Sequence, residues 1–347
     1  MPELLYIGQR RLRSISLKVG SAMHDDAGLV VGAGRSPLVR FLRSVQSTVW
    51  IPARFAAGSI RNLLRRQAWS REMRRLEATS PNGIDPVKWG QARRAVYERW
   101  GAFPCTIRER RRTQTLKDRY KGHRIFLIGN GPSLNQLPLE MLAGEYTFGV
   151  NRIYLLFDRI SWRPTFYTVL DWRVGPDIAH EVNLLDGMTF FIESRYRGLL
   201  RGGTDTYWYQ SGAESFAYDA TKPLYGGGTV MLASIQLAYY MGFNPIYLIG
   251  VDASYSVPDS VLQEGEDRFG TGVRMELTST RDDDANHFDP RYFGAGRRWH
   301  DPNVKGMVAG FTHAREALTA KGVRIYNAGV GGKLEVFERV DFESLFA

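Results

Sequence analysis

The sequence predicts an α/β domain with a doubly wound, mainly parallel, Rossmann-like sheet, preceded by a basic and mostly helical extension. Three observations carry this. From Arg124 onward, short continuous apolar runs of strand length alternate with segments of helical period. Those runs are bounded by Gly, Asn and Asp and do not alternate with polar residues, as expected of strands covered on both faces. Charge divides the chain: residues 1–123 hold 25 Lys and Arg against 9 Asp and Glu, and residues 124–347 hold 21 against 27. The division predicts an extension over 1–120 and a globular domain over 121–347.

In the extension, "ELLYIGQRRLRSISLKVGSAM" has the composition of a short amphipathic helix, and "DDAGLVVGAGRSP" is rich in turn residues. Pro37 would break any helix after "GAG", so that stretch is no nucleotide motif. Over 57–80, Ile60, Leu63, Leu64, Trp69, Met73 and Leu76 fall on one helical face with arginines between them. A loop follows at 80–86 and a second helix is expected from Val87 to Trp100. Such a basic surface is either a solvated helical face or a contact for anionic lipid headgroups or an acidic partner. No nucleic-acid-binding motif accompanies it, and no nucleic acid partner is expected. No apolar run reaches the roughly 18 to 20 residues of a membrane span, and no secretory signal is evident. Cys105 is the single cysteine, which fits a reducing compartment, and no Cys/His cluster has zinc spacing. The expected location is cytoplasmic, peripheral on the inner membrane face.

The domain reads "RIFLIG" strand, "LPLEMLAG" helix, then "YTFGVN", "TFYTVLD" and "MTFFIES" strands. It continues with "GTVMLASIQLAYYMG" helix, "PIYLIGVD" strand, "VKGMVAGFTHAREALTAKG" helix and "RIYNAG" strand. Ligands of such sheets bind beyond the carboxyl ends of the strands. There the first strand runs into Gly129, Asn130, Gly131, Pro132 and Ser133. The glycines permit a tight turn and a close approach of backbone to ligand, and Ser133 can cap the next turn. The third Gly of a dinucleotide fingerprint and the Gly-Lys-Ser/Thr of a P-loop are both missing. The stretch is therefore either a structural turn or a phosphate contact.

Asn151 ends the second strand, where its amide is placed to read a base or ribose or to stabilise a turn. Asp171 ends the third and suits a hydroxyl, a metal or a cap. Gly226, Gly227 and Gly228 with Thr229 open a helix, a plausible anion site or a flexible turn. Asp252 follows "PIYLIG", where a carboxylate could bind ribose, an acceptor hydroxyl or Mg²⁺. From about 254 to 303 the chain is polar and poorly periodic, but holds Tyr292, Phe293 and Trp299. That composition predicts a loop folding over ligand, with His287 or His300 as general base. "DDD" at 282–284 reads as a solvated charge run, since adjacent residues rarely converge on one ion.

Together "IFLIGNGPSLNQLPLEML", "YTFGVNRIYLLF", "YGGGTVMLASIQLAYYMGFNPIYLIGVD" and "NHFDPRYFG" resemble bacterial proteins with the 6-hydroxymethylpterin diphosphokinase-like (MptE-like) domain. The order of elements over about 124–340 is also similar to family 42 sialyltransferases. The second resemblance implies a CMP-activated acidic sugar, of sialic-acid or Kdo type, passed to a glycan acceptor without a required metal. Asn130 and Asn151 would hold the nucleotide, the 226–229 loop would line the site, and His287 or His300 would take the acceptor's proton. Tyr255 and Tyr292 would be candidates for the leaving phosphate. The first resemblance implies ATP, Mg²⁺ and a pterin alcohol, with Asp171 and Asp252 as candidate ligands. A nucleotide-binding protein without catalysis is the third reading.

Overall fold

The computed structural model describes residues 63–79 (without 65, 73 and 77) and 105–347 (without 172, 173, 198, 201, 265–275 and 301). The segments expected at 1–56 and the helix at 87–100 lie outside the described residues. Everything described belongs to the unit spanning 61–347.

Its centre is an eight-stranded sheet, parallel throughout. In chain order the strands are β1 (Ile125–Ile128), β2 (Thr147–Val150), β3 (Phe166–Val169), β4 (Thr189–Glu193), β5 (Thr206–Tyr209), β8 (Ile246–Ile249), β12 (Ile325–Asn327) and β13 (Glu338–Arg339). A small pair, β6 (Ser211–Ala213) and β7 (Leu224–Tyr225), lies outside it. The spatial order is β13-β12-β8-β1-β2-β3-β4-β5. The chain therefore winds outward from β1 to β5, then returns to the other side of β1 and winds outward again. The switch point lies between β1 and β8, where a crevice must open beyond the strand ends.

Alternation within the buried strands sorts the side chains into two cores. Phe126, Ile128, Tyr167, Val169, Tyr247 and Ile249 face one layer. Ile125, Leu127, Phe148, Val150, Ile246 and Leu248 face the other. The second layer is covered by α2 (Val230–Met241) and α3 (Val304–Thr319). α2 is buried nearly all round because it lies beneath both the sheet and α3. Gly242 ends it at φ 93°, the left-handed position that glycine adopts without strain. The first layer is covered by 3₁₀ turns, Pro132–Gln136, Leu139–Leu142 and Ile153–Leu156, where the periodicity predicts an α-helix over "LPLEMLAG". Pro132 and Pro138 each lack an N–H and restrict the residue before them, so only short turns form.

Packing continues N-terminal to residue 121. Trp69 is fully buried within the first core layer. α1 (Ile107–Gln114) starts with a capping box between Thr106 and Glu109. Glu109 also accepts both guanidinium nitrogens of Arg197, at 2.8 and 2.9 Å, and one from Arg66 at 3.2 Å. Burial pushes its carboxyl up, but Arg197, the Thr106 N–H and Arg66 together hold it below the usual range. Replacing Trp69 with Ala is expected to cost about 3–5 kcal/mol in urea unfolding, as for other buried aromatics. A chain cut back to 121–347 should lose stability by at least as much.

The segment from 254 to 303 contains more order than a loop. β9 (Val261–Glu264), β10 (Glu276–Ser279) and β11 (Arg298–His300) form a three-stranded antiparallel sheet. Val261, Leu277 and Trp299 make its small core, with Phe293 stacked on Trp299 at 5.2 Å. Strands of three or four residues leave little period to read in the sequence.

Candidate active site

The crevice at the switch point has two adjoining compartments. The inner one, about 110 Å³, lies between the Gly129–Gly131 turn, the Gly250–Tyr255 turn and the first residues of α2. The outer one, about 470 Å³, runs toward Asp171, Arg195 and His300. Asn151, Thr229, Tyr255, His287 and Tyr292 line both.

The two glycines of the first turn serve strand-end packing. A Cβ on Gly129 would stand 2.3 Å from the Gly250 carbonyl oxygen, and one on Gly131 2.4 Å from the Asp252 carboxylate. The turns are also joined directly: the Gly129 and Gly131 N–H groups donate to Ile249 and Gly250 carbonyls, each at 2.8 Å. Ser133 donates to Asp252 through its N–H at 3.0 Å and through its hydroxyl. Ser133 is buried and lines neither compartment. Asp252 lines the inner one, with both carboxylate oxygens engaged by Ser133. Its position is that of a clamp between the turns.

Asn130 stands between these turns and the ligand space. Its Nδ2 donates to the Val150 carbonyl at 3.1 Å, which fixes the amide's orientation. Its Oδ1 is then buried with no donor among the described residues. An orphaned buried acceptor is costly, and a ligand N–H or O–H in the inner compartment would satisfy it. Asn151 sits at φ 48°, a conformation Asn tolerates better than most residues, with its side chain against the Tyr292 hydroxyl.

The glycine loop is held from behind by a buried glutamine. Gln236 is fully buried in α2; its Oε1 accepts from Ala217 and Tyr225 N–H, and its Nε2 donates to the Tyr225 and Leu232 carbonyls. The loop then turns through Gly227 (φ 47°) and Gly228 (φ 82°) into Thr229, which caps α2 by accepting from Met231 N–H. A Cβ on Gly227 would also stand 2.1 Å from Leu232. The N-terminus of α2 thus opens on both compartments, with partial positive charge for an anion.

The 282–293 segment brings the histidine. His287 Nδ1 lies 2.7 Å from Asp284 Oδ2, and both side chains are more than nine-tenths buried. Asp284 also accepts from the N–H groups of Asn286 (2.8 Å) and Phe293 (3.0 Å). An ionised Asp284 keeps the proton on Nδ1 and leaves Nε2 as the acceptor. The ring stacks on Tyr292 at 3.7 Å and 7°, and Arg152 holds that segment by donating to the Tyr292 carbonyl at 2.6 Å. The expected charge run is therefore not one feature. Asp284 orients His287, Asp282 accepts from Ala295 N–H at 2.8 Å, and Asp283 accepts from Ser260 at 2.9 Å. Residues that alternate direction in an irregular segment take separate partners, which spacing does not reveal.

His300 occupies the outer compartment, its Nε2 3.7 Å from Asp171 Oδ2. Asp171 Oδ1 accepts from Val174 N–H at 3.2 Å, capping the turn Val174–Asp177. Asp171 and Asp252 thus line different compartments, and each is committed to a protein donor. Among the described residues no cluster of three or more His, Cys, Asp or Glu is arranged for a metal ion. Asn130, Gly131, Asn151, Thr229, Asp252 and His287 are brought together at the inner compartment, and Asp171, Gly227, Gly228 and His300 at the outer. Arg195, Asp284 and Gln236 belong to the site and carry no motif in the sequence.

Beside the outer compartment, Asp177 is buried enough to push its carboxyl up to about 6, opposed by Arg297 and Arg298. The fold disfavours the charged form. Its stabilising protonation is complete below the ordinary Asp value of 3.8 and is lost as pH rises through about 6. Asp177→Asn should remove this decline, with a gain on the order of 1–3 kcal/mol at pH 7 relative to pH 4. Urea unfolding at the two pH values reads it.

Residues 105–258 match the model of the family described as 6-hydroxymethylpterin diphosphokinase MptE-like. The chain thus carries an MptE-like segment from α1 through β8, including both glycine turns, Asn151, Asp171 and Asp252. The match stops short of His287 and His300. No curated protein matches the chain. Among the described residues no helix is long and apolar enough to cross a membrane.

Proposed function

We propose that the protein transfers a group from a nucleotide-activated donor to an acceptor hydroxyl, with His287 as general base. The Asp284–His287 pair at the junction of the two compartments supports this most directly. A carboxylate behind Nδ1 orients the ring with Nε2 as the acceptor; the attacking hydroxyl loses its proton there as its bond to the transferred group forms and the bond from that group to the nucleotide breaks, the nucleotide leaving. The donor we favour is a CMP-activated acidic sugar, with a glycan hydroxyl as acceptor. Support comes from the resemblance in order of elements to family 42 sialyltransferases and from the orphaned Asn130 Oδ1, which would accept from a donor group of the nucleotide.

The family match favours a second donor, ATP, with diphosphoryl transfer to a pterin-like alcohol. In that reading the cation would arrive on the nucleotide's own phosphates. Incubating the full chain with CMP-sialic acid, or with ATP and Mg²⁺, separates the two. CMP release with a sugar acceptor supports the first. AMP release with a hydroxymethylpterin, and no CMP release, replaces it with the second.

A further inference from the structure

We infer that Arg195 makes the outer compartment a subsite for an anionic group, a carboxylate or phosphate carried by one of the two substrates. The inference rests on the transferase reading and specifies which part of the substrate the outer compartment receives. Among the described residues that line the two compartments, Arg195 is the one permanent cation. Its guanidinium is held in place, since Nε pairs with Glu193 and Nη2 donates to Ser211 at 2.6 Å. Glu193 is itself buried and also accepts the Arg195 N–H at 2.9 Å, so the ion pair is anchored to the end of β4.

These bonds use Nε and one Nη2 proton. The remaining donors of a planar fork suit two oxygens of one anion. Across the compartment stand His300 and the N-terminus of α2 with Gly227 and Gly228. The helix end adds partial positive charge facing the same space. Asp171 also lines this compartment, its Oδ2 3.7 Å from His300 Nε2. Glu193 balances the guanidinium's charge, and the N–H donors that Glu193 and Ser211 leave unused are what a ligand would meet. Two oxygens of one anion fill those donors in the fork geometry a guanidinium presents.

The test titrates the full chain with pyrophosphate and, separately, with N-acetylneuraminic acid and its methyl ester. The proteins are the wild type, Arg195→Gln and the double variant Glu193→Gln/Arg195→Gln, which leaves no buried carboxylate unpaired. We expect one of the anions to bind the wild type and to lose at least tenfold in affinity in both variants. Pyrophosphate binding assigns the subsite to a phosphate. Binding of the acid but not its ester assigns it to a carboxylate. Equal anion affinity in wild type and in the folded double variant overturns the proposal, as does a wild type that binds a nucleotide but neither anion. Arg195-dependent anion binding by a chain that binds no nucleotide would keep the subsite and remove the transferase reading instead.

Discussion

Replacing His287 with Ala should lower kcat by about 10²- to 10⁴-fold, the range typical of losing a positioned general base. The donor's dissociation constant should move less than about threefold, because His287 meets the acceptor's proton and not the nucleotide. Asp284→Asn should reproduce most of the loss. An amide oxygen holds the proton on Nδ1 less strongly, and an amide nitrogen facing the ring inverts the tautomer and removes the acceptor from Nε2. The carboxylate's hydrogen bonds from Asn286 and Phe293 make that variant less stable as well. His300→Ala serves as the comparison: its ring lies 3.7 Å from Asp171, where the His287 ring lies 2.7 Å from Asp284. An enzyme losing activity in His300→Ala but keeping it in His287→Ala would move the base to the outer compartment. Initial rates of donor turnover, with donor affinity measured alongside, read all three.

Gly129→Ala is the second large effect, and it acts on the fold. The added Cβ would meet the Gly250 carbonyl oxygen at 2.3 Å, and both partners are backbone at the ends of adjacent central strands. Neither can give way without breaking the hydrogen bonds that join the turns. Overpacking of this kind costs on the order of 3 kcal/mol. Gly226→Ala is the contrast, since a Cβ there meets nothing within 4 Å. Thermal unfolding should separate them clearly, and a Gly129→Ala chain as stable as the wild type would contradict the packing account.

These glycines also show what the sequence could and could not convey. "IFLIGNGPS" and "PIYLIGVD" are legible as strand ends because continuous apolar runs stop abruptly at Gly. That the two ends lie side by side depends on strand order, which arises from the return of the chain to β8 after five outward strands. Residue types alone leave both a structural turn and a phosphate contact open for the two glycines, with Ser133 as a cap. Their first use is to let two backbones and the Asp252 carboxylate meet.

His287 was visible as a titratable side chain in an aromatic-rich segment, but its partner was hidden inside a run of three aspartates. Arg195 was invisible for another reason: a single arginine after a strand has no periodicity, and its meaning comes from β6 and the glycine loop closing around it. The small sheet of β9 to β11 escaped because its strands of three or four residues are too short to establish a pattern.

The central claim is that the β1/β8 crevice binds a nucleotide through Asn130. It is tested most directly by calorimetric titration of the full chain with CMP, UDP, GDP and ATP, repeated on Asn130→Ala. One of the four should bind the wild type, and its affinity should fall at least about tenfold in the variant, equivalent to about 1.4 kcal/mol for a lost hydrogen bond at a buried acceptor. A folded Asn130→Ala chain that binds the same nucleotide as tightly as the wild type, or a wild type that binds none of the four, would contradict it.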